Sequence, residues 1–275
     1  MKKPSMAQQA IYSTVKLTAF KNGNIIGTGT GFFFHFDEKG DSSCPAIVTN
    51  KHVIAGADEI RARCHLSHDE GGRPSGQFVN FIMQLHTTTI IYHPNNDIDL
   101  CALMIGTILQ QGKDLKKPVF YVPLGINLIP SRAGYNKFDD IENVTMIGCP
   151  NGISDEVNNV PIVRRGITAT SLTRNYNDKP EFVVDMACFP GSSGSPIFVM
   201  DQAGYFDHTT NQYLMGANRF YLVGILYAGP MITNTGAVIL AHPPKVEVAA
   251  MMHLGYAVKA AELFAMDEFI KKTYP

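Results

Sequence analysis

The stretch Phe189-Pro190-Gly191-Ser192-Ser193-Gly194-Ser195-Pro196 decides how this chain is read. Two glycines bracket a pair of serines, and a strand-like Ile-Phe-Val-Met run follows Pro196. Glycine reaches backbone angles closed to other residues, so such a loop can aim amide N–H groups at one point. Amides aimed in this way stabilise the oxyanion that forms when a serine hydroxyl attacks a carbonyl. Losing one such donor typically costs an enzyme about 10²–10³ in rate. By itself the stretch also suits a tight Gly/Ser turn. It is not a Gly-x-Ser-x-Gly elbow, because position 195 is serine, and the α/β-hydrolase reading loses its motif.

A serine nucleophile needs a base within hydrogen-bond reach. Of the nine histidines, His65 and His68 read as members of a polar loop, and His208 sits beside Asp207 in another. His52 is placed differently: it follows Ala46-Ile47-Val48-Thr49-Asn50-Lys51 and precedes Val53-Ile54-Ala55, where a buried strand gives way to an apolar turn. A histidine there can equally be structural. The third requirement is a carboxylate to fix the tautomer of the imidazole and stabilise its cation. His93-Pro94-Asn95-Asn96-Asp97-Ile98-Asp99-Leu100-Cys101 offers two, and strand parity does not choose between them. Asp97 fits a turn; Asp99 opens an apolar run, where a free charge is costly. The chain order His52, Asp99, Ser193 differs from both the Ser–Asp–His and the Asp–His–Ser orders.

Outward from these segments, 24 glycines and 16 prolines punctuate short runs rich in Val, Ile, Phe, Tyr and Thr. Strands are expected over 11–20, 25–36, 46–49, 78–84, 87–92 and 99–105, then over 144–148, 162–172, 182–187, 195–200, 221–227 and 237–241. Many short strands with almost no helical periodicity argue for an all-β barrel or sandwich. From 107 to 143 the alternation fades into a Lys-, Pro- and Gly-containing stretch, which suits a strap between two halves. The expected division is 1–110, a connector over 111–143, a second unit over 144–258 and a C-terminal helix over 259–275. Leu263, Met266 and Ile270 share one face of that helix, and Lys271 and Lys272 fall in its last turn.

Composition narrows the setting. Hydrophobic residues make up 45% and charged residues 17%, which suits a globular protein. A formal net charge of −1 leaves no electrostatic footprint for nucleic acid or an anionic membrane. No run approaches the ~18 apolar residues of a membrane span, and the polar residues after Lys3 leave no apolar core for a signal peptide. The five cysteines are scattered singly, without metal-ligand spacing, and read as reduced core thiols. A cytoplasmic protein without metal or cofactor is expected.

Together these segments resemble the trypsin-like (chymotrypsin-fold) serine peptidases, particularly the non-secreted, HtrA-like bacterial branch. Gly27-Thr28-Gly29-Thr30-Gly31-Phe32-Phe33 is similar to the family's opening strand. Val48-Thr49-Asn50-Lys51-His52-Val53-Ile54 resembles its histidine block, Asp99-Leu100-Cys101-Ala102-Leu103 its aspartate block, and residues 190–198 its serine block. Leu222-Val223-Gly224-Ile225-Leu226-Tyr227-Ala228-Gly229 resembles the strand lining one side of the substrate cleft. The resemblance implies two packed six-stranded antiparallel β-barrels, with His52 and Asp99 from the first and Ser193 from the second. It favours Asp99 over Asp97, makes Gly191 and Ser193 the oxyanion amides, and implies a protein or peptide substrate.

Carried over without gaps, it puts the floor of the primary pocket at Met186–Cys188, hence Ala187, with Tyr227 and Gly229 on the wall. Nothing acidic lies at that floor, although Asp185 is near, and His242 could instead read an acidic or amide side chain. Two departures matter. Ser192 stands where secreted members carry an aspartate that binds a new N-terminus, and Val53 replaces a disulfide cysteine. Activation through an N-terminal ion pair is therefore not expected, and the length leaves no room for a PDZ-like domain. The competing readings are an inactive binding module, an esterase or acyl transferase on the same scaffold, and an effector protease regulated by a partner.

Overall fold

The structure is a computed structural model that describes residues 4–39, 42–68, 72–237 and 245–273, with the side chains of 231–251 outside the description. The chain opens with α1 (Met6–Ser13), β1 (Thr14–Lys21), β2 (Asn24–Lys39), β3 (Ser42–Thr49) and the single turn α2 (Lys51–Ile54). There follow β4 (Glu59–Ser67), β5 (Pro74–Gln84), β6 (Ile90–Tyr92), β7 (Cys101–Met104), α3 (Gly106–Asp114), β8 (Val119–Phe120) and β9 (Leu124–Gly125). The second half holds β10 (Asn143–Gly148), β11 (Ile162–Thr168), β12 (Glu181–Asp185), β13 (Pro196–Asp201), β14 (Gly204–Asp207) and β15 (Gln212–Met215). It ends with β16 (Arg219–Ala228), β17 (Met231–Ala237), β18 (Lys245–Met251), β19 (Leu254–Lys259) and α4 (Glu262–Thr273).

The first half is a nine-stranded sheet in the order β5-β4-β1-β2-β3-β7-β6, with β8 added to β4 and β9 running parallel to β2. In the second half β10-β11-β12-β19-β16-β13 closes into a six-stranded barrel. Two ribbons, β14–β15 and β17–β18, stand outside that closure. The all-β architecture with a C-terminal helix is thus the one the strand punctuation implies.

Three local differences from the sequence reading have physical causes. Residues 11–13 are helical, because Ser5 and Gln8 form a reciprocal capping box that starts α1 and delays the strand to Thr14. His65 lies in β4 rather than in a loop: Ile60, Ala62, Cys64 and Leu66 alternate inward while Arg61, Arg63 and His65 face outward. The polar outer face hid that alternation. The stretch 107–143 carries α3 and two short strands, and their backbone pairs with β4 and β2 of the first sheet.

One core spans both halves. Phe32, Phe34, Phe36 and Leu100 of the first pack with Phe198, Leu222, Ile225 and Val258 of the second, and with Leu263, Met266 and Ile270 of α4. That apolar contact fixes how the halves face each other. The helix is also pinned by a polar bond, in which the Asp37 amide donates to Asp267 Oδ1 at 2.7 Å; within the helix Lys271, one turn on, pairs with Asp267 at 2.6 Å. Arg219 adds a buried strut, bonding both Glu142 carboxylate oxygens and, through Nε, Asp201. No helix of the described residues is long and apolar enough to cross a membrane.

Candidate active site

His52 sits on α2, at the point where β3 leaves the first sheet. Its Nδ1 donates to Asp99 Oδ2 at 2.5 Å, and its backbone amide donates to Asp99 Oδ1 at 3.2 Å. A carboxylate only accepts, so this bond places the ring proton on Nδ1 and leaves Nε2 as an acceptor. Asp99 is held in turn between the buried side chains of Ile98 and Leu100, and its carbonyl accepts from Asn50 Nδ2 at 2.7 Å. Burial pushes the Asp99 carboxyl up, but the bonds from the His52 ring and amide outweigh it and keep the pKa below the ordinary value. Asp97 is exposed, with its amide bonded to Asn95 Oδ1 in the preceding turn. The structure therefore separates two aspartates that strand parity could not.

Ser193 lies on the loop between β12 and β13, and lines one groove together with His52, Val53, Ala55, Ile26, Gly27, Thr28, Pro190 and Gly191. Its hydroxyl donates to the Tyr227 carbonyl at 3.2 Å. The loop backbone is held both from outside and from within. Asn151 N donates to Pro190 O at 2.5 Å, and Ser195 N to Ser192 O at 3.0 Å. Each trans peptide points its N–H opposite its carbonyl, so these two bonds turn the Gly191 and Ser193 amides the other way. Among the described residues neither amide has an acceptor.

The glycines are needed for close approach as well as angle. Gly191 has φ +83°, and a Cβ there would lie 2.8 Å from the Cys149 carbonyl oxygen. Gly194 has φ +87°, and its Cβ would overlap the Thr30 carbonyl. Any side chain would push the loop out of its seat.

Of the residues expected at the primary pocket, Ala187 is half-buried, and its carbonyl accepts from Arg164 Nη1 at 2.8 Å while that guanidinium covers the Phe189 ring. Gly229 faces Cys188 and the Leu254 carbonyl, with a Cβ at 229 falling 3.1 Å from that oxygen. The Tyr227 phenol donates to Glu181 at 2.9 Å, and its ring lies against Tyr256. Asp185 is exposed at the end of β12, and His242 lies outside the described residues. The sequence reading missed the roles of the Tyr227 carbonyl and the Asn151 amide. Both act through the backbone and carry no residue-type signal.

All five cysteines are free. Burial raises the thiols of Cys101 and Cys149 to about 12 and that of Cys188 to about 11, which disfavours the nucleophilic thiolate at each. Among the described residues no group of His, Cys, Asp or Glu is arranged to hold a metal ion.

A barrel-bearing β-fold with a histidine–carboxylate pair and a glycine-framed serine on one groove has the layout of a serine hydrolase. The model of the trypsin-like peptidase domain family matches residues 29–205, and the chain belongs to that family of serine proteases. In fold it is similar to a serine endoprotease from Yersinia pestis, known from a crystal structure, with a TM-score of 0.52 and 18% identity. That match covers 99% of this chain and 69% of the other. No curated protein matches the sequence.

Proposed function

We propose that the protein is a serine endopeptidase in which Ser193 is the nucleophile, His52 the general base and Asp99 the group that orients it. The observation that carries this reading is the His52–Asp99 bond at the rim of the groove that Ser193 also lines. In the reaction Ser193 Oγ attacks the scissile carbonyl carbon and passes its proton to His52 Nε2. The oxyanion rests on the Gly191 and Ser193 amides. His52 then protonates the leaving amine, which departs and leaves an acyl-enzyme. Water, deprotonated by His52, releases the acid and restores Ser193. Ala187, Tyr227 and Gly229 line the primary pocket in this reading, and the substrate is a protein or peptide.

Ser192 is buried, and its Oγ has no hydrogen-bond partner among the described residues. A neutral side chain there supports activity without an N-terminal ion pair. The five free cysteines support a reducing, cytoplasmic setting. The bond from Ser193 to Tyr227 O supports a second reading, a resting effector that a partner activates: the hydroxyl must rotate from that carbonyl to reach His52.

A fluorophosphonate probe tests both. Wild type labels, Ser193→Ala does not, and Ser192→Ala and Ser195→Ala label as wild type does. Labelling that survives Ser193→Ala sinks the nucleophile assignment. A wild type that stays unlabelled until lysate partners are added selects the resting-effector reading.

A further inference from the structure

Thr30 lies in β2 with no exposed surface, and all of its polar atoms are engaged. Its amide donates to Ser193 O at 2.8 Å. Its hydroxyl donates to Gly191 O at 2.9 Å and accepts from Cys149 N at 2.9 Å. Its carbonyl accepts from Thr49 Oγ1 at 2.7 Å, at the end of the strand that leads into His52. One residue of the first half thus grips both loops behind the serine and the strand that presents the histidine.

The four successive carbonyls of 190–193 are each held by a donor, and two of those donors belong to Thr30. The hydroxyl is the only partner of Gly191 O among the described residues. The same peptide is held on its other side by Ser192 N, which donates to Phe189 O at 3.0 Å, and Gly191 lacks a Cβ that would narrow its backbone angles. Without the hydroxyl, a buried carbonyl and a buried amide both lose their partner, and that penalty drives the loop toward other arrangements. The Gly191 N–H lies in the preceding peptide, whose Pro190 carbonyl Asn151 holds, so the hydroxyl acts on that N–H across the Gly191 Cα, by fixing the plane on its far side.

We propose that Thr30 is a positioning residue for the oxyanion amides, its hydroxyl holding the Gly191 carbonyl and its amide the Ser193 carbonyl, each one Cα beyond the N–H that it positions. The inference rests on the assignment of Gly191 and Ser193 as oxyanion donors.

The test compares full-length wild type, Thr30→Val, Thr30→Ser and Thr168→Val. Valine keeps the shape of threonine and removes only the hydroxyl. Thr168 serves as a control, because its buried hydroxyl also ties its strand to another segment, accepting from Glu142 N and donating to Asp140 O, away from the groove. A fluorophosphonate probe at rising concentration gives a limiting rate, which reads chemistry, and a half-saturating concentration, which reads binding. Melting temperature reads stability.

Thr30→Val lowers the limiting rate about 10–10²-fold with half-saturation changed less than about threefold, because a displaced oxyanion donor acts on the transition state. Thr30→Ser restores the rate, and Thr168→Val melts earlier but labels as wild type does. A folded Thr30→Val at the wild-type rate overturns the proposal. So does a Thr30→Ser as slow as Thr30→Val, or a Thr168→Val slowed as much. If Thr30→Val does not fold, Thr30→Ala is read by the same criteria. A wild type that stays unlabelled even after lysate partners are added overturns the hydrolase reading itself, whereas a labelled wild type with unchanged Thr30→Val overturns only this inference.

Discussion

His52 and Ser193 reach one groove by different routes. The histidine arm is a side-chain device: a single helical turn presents His52, and its partner Asp99 comes from a neighbouring loop of the same half, at 2.5 Å. The serine arm is a backbone device, in which two positive-φ glycines and bonds from Asn151, Ser195, Thr30 and Leu226 hold the loop. Ser193 itself is half-exposed and bonds only a carbonyl through its side chain. The contrast teaches that the first arm fails when a functional group is changed, and the second when space or angle is changed.

The largest effect should come from breaking the first arm. Asp99→Asn removes the acceptor charge and allows the wrong tautomer, so kcat should fall by about 10⁴. Asp97→Asn, in its exposed turn, should leave kcat within about twofold, as surface changes usually do. Equal losses in the two variants, measured on one peptide substrate, would remove the distinction drawn between them.

The next effect probes the second arm without touching any functional side chain. Gly191→Ala forces a Cβ against the Cys149 carbonyl oxygen at 2.8 Å and the Asn151 amide nitrogen at 2.9 Å. The Gly191 amide should leave its position, with a loss of about 10²–10³ in kcat. A near-normal kcat with a changed KM would mean that the loop serves binding rather than the oxyanion.

The smallest effect is a pH-dependent stability, and it belongs to the first arm alone. Folding lowers the Asp99 pKa, so the stabilisation is fully present above the ordinary value of about 3.9. It is lost as pH falls through the lower native value. The stability difference between wild type and Asp99→Asn should therefore hold constant from neutral pH to about 5 and shrink only in stronger acid. A difference that vanishes already near pH 6 would contradict the depressed carboxyl.

The contrast also explains what could be read before the fold was known. Strand punctuation revealed the β class, and the serine and histidine segments stood out by residue type and order. Parity could not separate Asp99 from Asp97, and the apolar run after Asp99 and the resemblance favoured it; the fold separates them by bringing His52 to one. His65 was hidden on the polar face of β4, and the capping box of Ser5 and Gln8 lies upstream of the segment expected as strand, whose first residues it draws into a helix. Thr30 looked like one more small residue in a glycine-rich run.

The sequence by itself determined the chemistry available: a serine between glycines, a histidine at a strand end, an aspartate opening an apolar run, and five cysteines placed singly along the chain. Tertiary structure decided which groups act on one another. Hydrogen bonds such as Thr30 to Gly191, 161 positions apart, depend on how the two halves pack. Backbone donors and acceptors are the same at every residue, so no residue type announces which of them the fold will join.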